Sequence, residues 1–191
     1  MTDTIAHPDP ASFHPEPVSV HPAPVSVHLD PTSVRPELVE GLDQLRQAQS
    51  ERVVAIIKGR CVVPGVIEAE ALVTKDPISG WGGVDPRTGT VVETRHELRG
   101  QCFTGKVLVF PGAKGSSGWS AQFHVARVMG TGPAAWLFNQ MSTKIALGAV
   151  VSHAPAMTDF DVDPLTVIKT GDWVKVDATN GIVTITRNKK P

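Results

Sequence analysis

The side chains most able to do chemistry gather between Lys106 and Gly130, where Lys114, Gly115, Ser116 and Ser117 separate two apolar segments. Val107 to Phe110 is a short apolar run of the kind that forms a buried strand. Trp119, Phe123, Ala126 and Met129 then recur at helical spacing and end at Gly130, so the stretch reads strand, glycine loop, helix. Ser116 and Ser117 therefore fall at the amino end of a helix, where unpaired amides and the helix dipole favour negative charge. That charge is a bound carboxylate, a phosphate or an incipient serine alkoxide, with Lys114 adding a cation nearby. A serine in this place is equally an ordinary N-cap, and local chemistry alone leaves both readings open. A Walker-type phosphate loop is excluded, because Lys114 precedes the last glycine instead of following it. A nucleophile elbow is excluded by the missing spacers in Gly115-Ser116-Ser117-Gly118.

The elements that must position this loop are short. Apolar runs punctuated by Gly and Pro predict strands over Val53 to Ile57, Cys61 to Val66, Ala69 to Thr74, Thr90 to Glu93, Lys106 to Phe110 and Ala134 to Phe138. A helix is expected from Thr143 to Val151 and a short one starting at Asp163-Pro164. Trp173 to Val176 and Ile182 to Thr186 read as a hairpin about Asn180-Gly181, with both turn residues at positive φ. Upstream, residues 7 to 41 repeat every seven residues, four of the repeats opening on His7, His14, His21 and His28. One or two prolines in each repeat bar a coiled coil, so an extended, disordered tail is expected, with a short helix from Gly41 to Arg52. The domain organisation is thus a tail over 1–50 and one folded domain over 51–191.

Composition narrows the function classes. With 18 basic and 19 acidic residues in 191, the chain has no electrostatic footprint for nucleic acid or anionic membranes. Its longest apolar runs, such as Ile145 to Val151, are too short to span a bilayer, and a soluble protein of the reducing cytoplasm is expected. Cys61 and Cys102 match no metal-ligand spacing and are expected to be buried small apolar groups. No role is expected of His124 or His153.

Four blocks together resemble the aconitase X swivel family: Gly59 to Gly65 with Glu70 to Val73, Ile78 to Pro86, Gly105 to Ser117, and Thr170 to Ala178. The likeness runs in order from Ile57 to Ile185. It implies an α/β fold, a swivelling layered β/β/α domain that closes over an active site built mainly by a large subunit. That large subunit is implied to hold the iron-sulfur cluster or iron centre. The implied reaction is dehydration of a hydroxylated carboxylic acid, of the 5-phosphomevalonate or cis-3-hydroxy-L-proline type. In it a base takes a proton beside a carboxylate while Lewis-acidic iron assists loss of hydroxide. By resemblance Ser116 is the base, and Ser117, Lys114 and the Gly115 amide orient substrate oxygens. Gly82 to Pro86 is either an ordinary turn or a substrate-facing segment carrying Asp85. Ala113, Trp119 and His153 depart from the family pattern, and Trp119 is expected to reshape the pocket. A non-catalytic binding or regulatory module that kept the fold is the alternative.

Overall fold

The structure, a computed structural model, describes residues 52–187. The heptad tail lies outside the described residues, as does the expected helix leading from it, except that Arg52 already belongs to a strand.

Among the described residues twelve strands and three helices follow in order: β1 (Arg52–Lys58), β2 (Arg60–Val63), β3 (Val66–Val73), β4 (Ile78–Ser79), β5 (Val84–Asp85), β6 (Thr90–Val91), β7 (Val107–Phe110), β8 (Ala113–Lys114), α1 (Trp119–Val128), β9 (Ala135–Phe138), α2 (Thr143–Ser152), β10 (Ala156–Thr158), α3 (Pro164–Val167), β11 (Trp173–Asp177) and β12 (Ile182–Arg187). Eight of the strands form one sheet in the order β1-β12-β11-β3-β7-β9-β10-β2. β3, β7, β9 and β10 run parallel, and the flanking pairs are antiparallel. β1 and β2 are consecutive in the chain yet lie at opposite ends of this order, with only Gly59 between them. The sheet must therefore curl until its first and last strands meet. Gly59 sits at that seam, its N–H donating to the Gly181 carbonyl at 3.0 Å. A Cβ there would lie 2.5 Å from the Phe160 ring, so no larger residue fits without movement.

Curling divides the interior into two layers, and strand alternation assigns residues to them. Val107 and Val109, Ala135 and Leu137, and Met157 point inward against Val174, Val176, Val183 and Ile185 of the opposite wall. Leu108, Phe110, Trp136 and Phe138 point outward against Trp119, Phe123 and Ala126 of α1 and Ile145 and Ala149 of α2. This is the β/β/α layering expected from the sequence. β7 and β9 are apolar at every position because both of their faces are covered.

Several expectations change. The run Cys61 to Val66 is broken after Val63, and Thr90 to Glu93 contributes only two strand residues. Met129 is half-exposed and caps α1 instead of joining its buried stripe. The turn about Asn180 is not a two-residue one. Asp177 pairs with Ile182 across a four-residue loop in which only Gly181 has positive φ. Ala178 is drawn into the core, where its N–H meets the Gly65 carbonyl, and the Asp177 carboxylate holds the Asn180 amide instead.

Candidate active site

β7 ends at Phe110 on the central, fully covered part of the sheet, which gives the following loop a rigid base. Gly112 accepts from the Ile78 N–H at 3.0 Å, and β8 then pairs in parallel with β4, setting Ala113 beside Ile78 and Lys114 beside Ser79. Gly115 takes φ +89°, a left-handed conformation that costs an L side chain strain, and turns the chain outward. Ser116 and Ser117 are exposed. The Ser116 carbonyl accepts from the Trp119 N–H at 3.2 Å, and the Ser117 carbonyl from the Ser120 hydroxyl at 3.3 Å.

Neither serine caps the helix. The cap residue of α1 is Gly118, and no side chain supplies a cap hydrogen bond. Capping therefore does not account for these serines, and the amino end of α1 keeps its positive potential unsatisfied by a side chain. The Ser116 hydroxyl lies beside the cap residue: a Cβ built on Gly118 would be 3.6 Å from Ser116 Oγ.

Two lysines reach the loop from different directions. Lys114 Nζ pairs with Glu93 Oε1 at 2.7 Å. Glu93 is in turn held by its N–H to the Gly83 carbonyl, and its Oε2 is buried without a hydrogen-bond partner. Lys144 Nζ donates to the Gly115 carbonyl. Beside it, Ser117, Ser120, Ser142, Thr143, Lys144 and Leu147 line a cavity of about 300 Å³. Neither Glu93 nor Lys144 was legible as a site residue, because each meets the loop only through the fold.

The remaining expected site residues fall elsewhere. Asp85 closes its own turn, accepting from the Arg87 N–H at 3.0 Å and from its guanidinium. That backbone hydrogen bond is the main reason its carboxyl lies below the usual aspartate range. The next residue, Pro86, receives the Thr131 hydroxyl just past the carboxyl end of α1. The serines precede the other end of this ten-residue helix, which spans about 15 Å. The structure thus gathers Ser116, Ser117, Gly115 and Lys114 but leaves Asp85 as a turn residue. Trp119 does not line the pocket either: it is buried, with Nε1 donating to the Ile78 carbonyl at 2.9 Å. Its ring stacks among Phe110, Phe123 and Trp136. The ring exposed near the loop is Trp81, at 77%.

His124 is exposed, with Nδ1 3.3 Å from the Val151 carbonyl, and His153 is the left-handed C-cap of α2. Cys102 is exposed, contrary to expectation, because it lies outside the strands on an isolated bridge to Thr90; Cys61 is half-buried on β2. Among the described residues no three His, Cys, Asp or Glu side chains converge as a metal site requires. The donors brought together among the described residues do not fit an iron centre.

Residues 56–185 match the aconitase X swivel domain family. A phosphomevalonate dehydratase small subunit from Methanococcoides burtonii is 40% identical over 127 residues, covering 66% of this chain and 93% of its own. The protein of that name from Methanocella arvoryzae is 42% identical, covering 66% and 96%. Among solved structures, Thermococcus kodakaraensis aconitase X (holo-form) superposes with a TM-score of 0.65 at 38% identity, covering 69% of this chain and 98% of its own.

Proposed function

Because the chain belongs to the aconitase X swivel family, we propose that it is the small subunit of a dehydratase acting on a 5-phosphomevalonate-like hydroxy acid, with Ser116 as the base. The observation that carries this reading is the exposed Ser116, its hydroxyl beside Gly118 at an amino-terminal helix end that no side chain caps. A serine hydroxyl is too weak an acid to ionise in neutral water. Its alkoxide is favoured by the positive helix end, by the nearby Lys114 ammonium and by exclusion of water. Two of these supports belong to this chain, and the third requires a large subunit closing over the loop. Any iron centre is assigned to that partner.

In the reaction the Ser116 alkoxide takes the proton from the carbon beside the substrate carboxylate. The C–H electron pair becomes the new double bond, and hydroxide leaves the neighbouring carbon. The proton on Ser116 and the departing hydroxide together make the water lost. Ser117 and the Gly115 amide orient substrate oxygens. Lys114, held by Glu93, contributes its ammonium at the edge of the loop.

The test is turnover by this chain combined with its large subunit, on 5-phosphomevalonate and, separately, on cis-3-hydroxy-L-proline. Dehydration of the first alone, abolished in Ser116→Ala, is the expected result. Turnover of neither substrate, or full turnover by Ser116→Ala, sinks the reading and leaves a non-catalytic module of the same fold.

A further inference from the structure

Three observations converge on Lys144. First, it is the ammonium at the serine loop without a counter-charge: Lys114 is paired with Glu93 at 2.7 Å, whereas Lys144 has no carboxylate partner among the described residues and touches only the Gly115 carbonyl. An ammonium carries three donors, so this contact leaves two unspent. Second, Lys144 lies in the first turn of α2, whose cap is made by Ser142 accepting from the Ile145 N–H. A cation there works against the helix dipole, so the fold gains nothing from its charge. Third, it lines the cavity of about 300 Å³ beside Ser117, and no carboxylate lines that space. Ser117, Ser142 and Thr143 line it from two elements, with the Ser142 hydroxyl also capping α2, and Leu147 gives one apolar wall.

We infer that this cavity is the subsite for the phosphate end of the substrate, with Lys144 as its specificity-determining cation. A phosphate monoester on a short aliphatic chain suits it: the ammonium and hydroxyls meet the anionic head, and Leu147 meets the carbon chain. The Gly115 contact sets the direction of the ammonium and places the head one residue from Ser116. The inference rests on the dehydratase reading above and extends it from reaction to substrate choice.

Steady-state kinetics of the complex with its large subunit test it. Lys144→Met is expected to raise KM for 5-phosphomevalonate about ten- to hundredfold, the loss of one charge-assisted contact, while kcat changes less than about twofold. Inorganic phosphate, added as a competitive inhibitor, is expected to weaken by a similar factor, and Lys144→Arg to keep most of the affinity. A lowered kcat at unchanged KM, or undiminished inhibition by phosphate, overturns the assignment and reduces Lys144 to a prop for the loop. Full activity in Ser116→Ala removes the proposed base yet leaves the KM comparison readable, so the two ideas fail separately.

Discussion

A Cβ on Gly80 would come within 2.4 Å of the Cα of Trp119, so the loop after β4 lies directly against the first turn of the helix that follows the serines. The contact is between backbones and has no flexible side chain to absorb an added methyl group. It is reinforced where Trp119 Nε1 meets the Ile78 carbonyl. Together these contacts make Trp119 the buttress under Ser116 and Ser117.

Gly80→Ala is therefore expected to displace the start of α1 and lower turnover of the complex more than it lowers stability. Overpacking of this kind costs about 1–3 kcal/mol. Trp119→Ala is expected to cost about 3–5 kcal/mol, because it removes a fully buried ring from an aromatic cluster. Denaturant unfolding alongside turnover measures both; unchanged values for Gly80→Ala refute the close approach.

The Lys114 and Glu93 side chains are partly exposed, at 41% and 25%, so their ion pair is expected to contribute no more than about 1 kcal/mol. Its effect on turnover is expected to exceed its effect on stability. A double-mutant cycle with Lys114→Met and Glu93→Gln measures the coupling. Strict additivity in kcat/KM means that Glu93 does not position Lys114.

Glu97 contributes to the pH dependence of stability. Its carboxylate accepts from the Thr74 hydroxyl at 2.6 Å and from the Lys75 N–H, and the first of these does most to hold it below the usual glutamate range. A group depressed on folding stabilises the protein above its unfolded pKa, about 4.3, and loses that contribution as pH falls through the lower folded value. Glu97→Gln is expected to flatten the acid side of the stability curve and leave its slope near neutrality unchanged. Unfolding midpoints followed from pH 7 down to about 3 provide the check. An acid limb as steep as that of the parent protein excludes Glu97 as a source.

Ser116→Ala and Ser117→Ala are expected to separate. Both serines are exposed, so neither change should move the melting temperature appreciably. Loss of a general base lowers kcat by about 10²–10⁴-fold, whereas loss of an orienting hydroxyl acts mainly on KM. Equal kinetic effects of the two would contradict the assignment of distinct roles.

Local pattern in the sequence was sufficient for the strand, loop and helix around Ser116, since an apolar run, two glycines and a 3.6-residue stripe each constrain only near neighbours. It was sufficient also for β11, β12 and the short helix begun by Asp163-Pro164. Four sequence blocks carried the family resemblance and with it the layered fold. The tertiary structure decided everything that depends on meeting across the chain. Glu93 reaches Lys114 only after β4 and β8 pair, and Lys144 reaches Gly115 only once α2 has packed beside α1. Periodicity sees Trp119 as one more apolar residue; only packing turns its ring away from the pocket and into the core. Asp85, which the sequence left as either a turn residue or a substrate-facing one, precedes Pro86, whose carbonyl meets Thr131 just past the carboxyl end of α1. Spacing along a chain encodes which face a residue occupies, but which distant residue stands opposite is settled by how the curled sheet and its helices fill their shared interior.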